Sequence, residues 1–109
     1  FTEFYPSGVE TFYWGTGMES KNLAILIQEA LVNRTGLPDR KAKRRELYVL
    51  KEARIPACLV EVGFLSNIDD GVLLNDGDFR GRVARGIFEG VMRYFWGEAS
   101  WKPQENQAP

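Results

Sequence analysis

The stretch Ile55–Asn67, IPACLVEVGFLSN, reads as a buried strand with a carboxylate, Glu61, in its middle. Proline donates no ladder hydrogen bond and is tolerated at a strand's first residue, so Pro56 suits the entry and Leu59–Phe64 is the expected strand. Side chains alternate faces along a strand: Ala57, Leu59, Glu61 and Gly63 share one side, and Cys58, Val60, Val62 and Phe64 share the other. The second row is apolar and reads as core. Glu61 needs a reason, because burying an unpaired carboxylate costs several kcal/mol. An ion pair with Arg40, Arg54 or Arg82 is one explanation. A catalytic carboxylate, poised by partial desolvation, is the other.

Outward from this strand, Val9–Trp14 (VETFYW) is β-branched and aromatic, lies between Pro6-Ser7-Gly8 and Gly15-Thr16-Gly17, and is predicted to be a strand. Leu23, Ile27 and Leu31 recur at helical spacing and predict a helix over 21–35, stopped by Gly36 and Pro38. Leu47–Leu50 is a short apolar run and is predicted to be another strand. Ser66 with Asp69 has capping-box spacing and predicts a short helix ending before Asn75-Asp76-Gly77. Phe79, Val83, Ile87, Val91 and Phe95 form one stripe and predict an amphipathic helix over 79–95. Strands alternating with helices argue for an α/β fold, with a mixed or mostly parallel sheet flanked by helices. One domain over 1–96 is expected, with a loosely ordered tail over 97–109.

The composition narrows the function. The chain has 109 residues with 14 basic and 15 acidic side chains, so no whole-molecule field draws it to nucleic acid or anionic membrane. No apolar run approaches the roughly 20 residues of a membrane span. Histidine is absent, which removes the commonest general base and metal ligand. The single Cys58 sits on the strand face opposite Glu61 and reads as core. Residues 40–45 hold five basic side chains in six; they read as a solvated loop or as an attraction for anionic wall polymers or peptide carboxylates.

SGVETFYW (7–14), NLAILIQEAL (22–31), TGLPDRKAK (35–43), LYVLKEARIPACLVEVGFLSN (47–67) and VARGIFEGVMRYF (83–95), in this order and spacing, resemble the C-terminal half of the zinc-dependent N-acetylmuramoyl-L-alanine amidases of the amidase_3 family. The resemblance implies a peptidoglycan hydrolase of the periplasm or cell wall. In that family two His and one Glu hold zinc, and a further Glu, matched here by Glu61, assists attack by the metal-bound water. The ligands lie in the family's N-terminal half, so the resemblance implies that zinc is held outside this chain, by a missing N-terminal segment or a companion chain. Glu10, whose family counterpart sits near the site, is expected to take a structural or substrate-orienting role, and Arg40, which matches the family pattern DRGVK, to bind substrate. Where the family pattern has glycine, this chain has Lys41. The alternative function is a noncatalytic, amidase-derived module that binds wall or partner.

Overall fold

The computed structural model describes residues 7–63 and 68–97. Its elements are β1 (Val9–Tyr13), α1 (Met18–Thr35), β2 (Asp39–Arg44), α2 (Tyr48–Lys51), β3 (Leu59–Val62), α3 (Ile68–Leu74) and α4 (Gly77–Trp96). The described sheet has the order β2-β1-β3. β1 pairs in parallel with β2 and antiparallel with β3, so the mixed α/β class expected from the sequence holds.

The face of the sheet that carries Val9, Val60 and Val62 meets both long helices. Val9, Ile27 and Leu31 form the buried centre, with Cys58, Val60, Val62, Val83, Ile87 and Val91 packed around it. This is the apolar row read from β3, together with the stripe read from α4. Helices α1 and α4 approach closely because α4 has no side chain at the crossing: a Cβ on Gly86 would lie 2.9 Å from Leu31 Cδ2, and one on Gly90 only 2.5 Å from Ile27 Cα. Across the same seam Glu89, buried, pairs with Arg34 of α1 at 3.0 Å, and within α4 it also pairs with Arg93 at 3.2 Å.

Two expectations need correction. Leu47–Leu50 is not a strand: its residues begin the single turn α2, which buries Leu50 and leaves Tyr48 and Val49 exposed. The strand is the preceding basic run instead. Strand β2 forms because its backbone pairs with β1, and at an edge of the described sheet its charged side chains can reach water, which is where charge is tolerated and blunts further pairing. Apolar content was the wrong signal for an edge.

Helix α1 begins at Met18, three residues before the predicted start at 21, and α4 at Gly77, where Asp76 accepts a hydrogen bond from the Asp78 N–H at 3.1 Å. Phe64, Ser66 and the tail from 98 lie outside the described residues.

Candidate active site

The sheet face away from the core row carries the charge. In the β1–β3 ladder Glu10 stands opposite Glu61 and Phe12 opposite Leu59, so the two carboxylates share one face. Like charges placed directly opposite repel, and each needs a counter-charge or water. Glu10 has the counter-charges. It is buried and forms an ion pair with Lys43, and Arg40 Nε lies 3.9 Å from its Oε2. Glu61 is half-buried, and among the described residues no hydrogen bond or ion pair holds it.

None of the three arginines raised by the sequence reading clamps Glu61. Arg40 is turned to Glu10, Arg82 lies over the Phe79 ring at 6.0 Å, and Arg54 lines a cleft at the far end of β3.

That cleft, of about 230 Å³, is bounded by Trp14, Gly17, Glu19, Ser20, Ala53, Arg54, Ile55 and Pro56. It does not include Glu61. The reason is topological: β3 runs antiparallel to β1, so the carboxyl end of β3 lies at the amino end of β1, while the cleft lies beyond the carboxyl end of β1. The rule that ligands gather at carboxyl ends of strands holds for parallel strands and gives no guide here.

The corner beside Glu61 is braced by a residue that sequence reasoning missed. Asp70, fully buried, accepts a hydrogen bond from Ser7 Oγ at 2.6 Å and from the Gly8 N–H at 3.2 Å. It thereby ties α3 to the start of β1, where the Gly63 N–H reaches Gly8 O at 2.8 Å. Gly8 has φ 123°, and a Cβ there would lie 2.3 Å from Pro38 O, so only glycine fits. Nothing in the pattern around Asp70 marks it beyond a place in a helix's first turn.

On the helix side of the sheet, Gln28 binds Thr11 Oγ1 at 2.8 Å, Val9 O at 2.7 Å and Asp39 Oδ1 at 2.7 Å, fixing β1 and β2 to α1. Burial opposes ionisation of Asp39, but hydrogen bonds from Gln28 and Lys41 outweigh it and hold the carboxyl below its ordinary value. Cys58 packs in the core row, and burial pushes its thiol up.

Lys41 has φ 74°, at the irregularity where the β1–β2 register shifts between Val9 and Thr11. This is a left-handed conformation that suits glycine. Position 41 thus keeps a glycine-like backbone although its residue is lysine.

The mixed α/β sheet thus carries one uncommitted carboxylate, Glu61, on its charged face. Comparison with known proteins gives the family. The profile of the Amidase_3 family, N-acetylmuramoyl-L-alanine amidase, matches residues 2–93, and the chain belongs to that family. It is 38% identical over 90 residues to the germination-specific N-acetylmuramoyl-L-alanine amidase of Bacillus subtilis, covering 82% of this chain and 38% of that protein. It is 35% identical over 92 residues to the N-acetylmuramoyl-L-alanine amidase LytC of the same organism, covering 83% of this chain and 18% of that protein.

Among solved structures, an N-acetylmuramoyl-L-alanine amidase from Clostridium difficile 630 matches with TM-score 0.81 at 30% identity, over 85% of this chain and 50% of that one. The catalytic domain of CwlV from Paenibacillus polymyxa matches with TM-score 0.77 at 37% identity, over 84% and 50%. The chain therefore spans half or less of the length of these relatives.

Proposed function

We propose that this chain supplies the proton-handling carboxylate of an N-acetylmuramoyl-L-alanine amidase that works on peptidoglycan in the cell wall, hydrolysing the amide between N-acetylmuramic acid and L-alanine. The observation that carries the reading is Glu61: it occupies the family segment VEVGFLSN, and among the described residues it is held by no cation or donor. A carboxylate in that state keeps both oxygens for chemistry. In this reading Glu61 accepts the proton of the attacking water and returns it to the leaving amine. Glu10 and Arg40 act behind it, as part of the charged face on which substrate lies.

Zinc, which family membership brings into question, does not fit the described residues as a ligand set: the chain has no histidine, and no three His, Cys, Asp or Glu side chains converge among them. In this reading the metal is held outside the described residues, by an N-terminal segment of the same domain or by a companion chain. No helix among the described residues is long and apolar enough to cross a membrane. Work on the wall requires export, which the reading therefore includes.

The test is release of muropeptides from purified peptidoglycan by the full-length protein and by its Glu61→Gln variant. A loss of at least a hundredfold is expected. Activity within a few fold of the parent would overturn the assignment.

A further inference from the structure

We propose that the β2 edge of the sheet is a docking strip for a linear phosphate-linked polymer without bases, gripped by Arg44 and Arg45. This goes beyond the amidase reading and does not depend on Glu61.

Residues 40–45 hold five of the chain's 14 basic side chains, so the other nine are spread among 15 acidic ones. Most of the strip's charge is already answered. Lys43 and Arg40 share Glu10, and Lys41 lies 3.1 Å from Asp39 Oδ2. Arg44 and Arg45 are different: both are exposed, and among the described residues neither meets a carboxylate.

Each lies instead on an aromatic ring, Arg44 at 4.2 Å over Trp14 and Arg45 at 5.1 Å over Phe12, and Arg44 Nε also donates to Gly15 O at 3.1 Å. Contact with the rings restrains each guanidinium fork before any ligand arrives. That fork matches the paired oxygens of a phosphate.

Three features select the polymer. Arg40, Lys41, Lys43, Arg44 and Arg45 crowd five positive charges into six residues beside two carboxylates, Glu10 and Asp39, and that surplus along an edge suits a polyanion rather than a single peptide carboxylate. The outer side of β2 bears no strand among the described residues, which leaves room for a chain to lie along it. The Trp14 and Phe12 rings each carry an arginine on one face, and Phe12 is buried. Nucleic acid without sequence preference is held by bases stacked on open rings, so the strip suits the phosphate backbone alone.

The experiment measures binding of end-labelled long-chain inorganic polyphosphate to the full-length protein at 50 and 200 mM salt. The Arg44→Gln/Arg45→Gln variant is expected to bind at least tenfold more weakly at the lower salt, with the log–log salt slope reduced by about two. An Arg80→Gln/Arg82→Gln control is expected to stay within twofold. Should the glutamine pair fail to fold, Arg44→Lys/Arg45→Lys decides: it keeps the charge and so the slope, but loses the forks and binds at least threefold more weakly. The proposal is overturned if the Arg44/Arg45 variants bind within twofold of the parent, or if the control falls as far. It is equally overturned if poly-L-glutamate or oligodeoxythymidylate of equal charge binds as tightly as polyphosphate.

Discussion

Glu61 faces Glu10 directly across the β1–β3 ladder, and only Glu10 is neutralised. A carboxylate opposite a carboxylate is a poor choice for stability, since like charges at paired strand positions are unfavourable by a few tenths to about 1 kcal/mol. Replacing Glu61 with Gln is therefore expected to leave the thermal midpoint unchanged or raise it by a few degrees, while muropeptide release falls by about 10²–10⁴. A variant that lost activity together with stability would indicate that Glu61 holds the fold.

The same relationship predicts the opposite for Glu10. Its carboxylate is buried and paired with Lys43, with Arg40 nearby. Changing it to Gln strands Lys43, which is exposed and recovers solvation. A loss of about 0.5–1 kcal/mol is therefore expected from denaturant unfolding. No change in the unfolding midpoint would mean that the pair contributes nothing.

Much of this pair was legible in the sequence. Alternation placed Glu61 opposite the Val60–Val62 core row, and two strands with carboxylates among apolar residues marked Glu10 and Glu61 together. Their register was not legible, because the direction of β3 depends on how the intervening segments cross the sheet, which local pattern does not encode. Strand β2 was missed because only the backbone of DRKAKR takes part in the ladder. Asp70 and Gln28 were missed because a buried polar side chain is recognised by its partners, and these lie 11–63 residues away in the chain.

The α1–α4 seam gives a paired prediction. A Cβ on Gly90 would sit 2.5 Å from Ile27 Cα and 2.8 Å from Ile27 N, both backbone atoms that cannot rotate away. Gly90→Ala is expected to cost about 1–3 kcal/mol net, because overpacking outweighs the gain of up to about 1 kcal/mol in helix propensity. Gly81 lies in the same helix with nothing within 4 Å of its virtual Cβ, so Gly81→Ala keeps the gain alone. Thermal melts should move in opposite directions.

Lys41 offers a gain of another kind. Its φ of 74° costs an L side chain on the order of 1 kcal/mol, which glycine avoids in part, since glycine loses more freedom on folding. Lys41→Gly also removes the contact with Asp39, an exposed pair of small worth. The expected outcome is a variant as stable as the parent or up to about 1 kcal/mol more stable. A loss above that size would show that the turn depends on lysine.

Asp39 sets an acid limit on the β1–β2–α1 junction. Its folded pKa lies below the ordinary value: burial opposes ionisation, and the hydrogen bonds from Gln28 and Lys41 outweigh it. A carboxyl depressed in the folded state binds its proton more readily when unfolded. It therefore contributes stability that is fully present above the unfolded pKa, near pH 4, and is lost as pH falls through the folded value. The parent should accordingly melt higher than Asp39→Asn at pH 5–7, with the difference shrinking below about pH 4. Because the side chain is partly solvent-exposed, the difference should also narrow with added salt. A difference that stays constant from pH 7 to pH 3 would show that the hydrogen bonds to Gln28 and Lys41 do not distinguish the ionised carboxylate from a neutral amide.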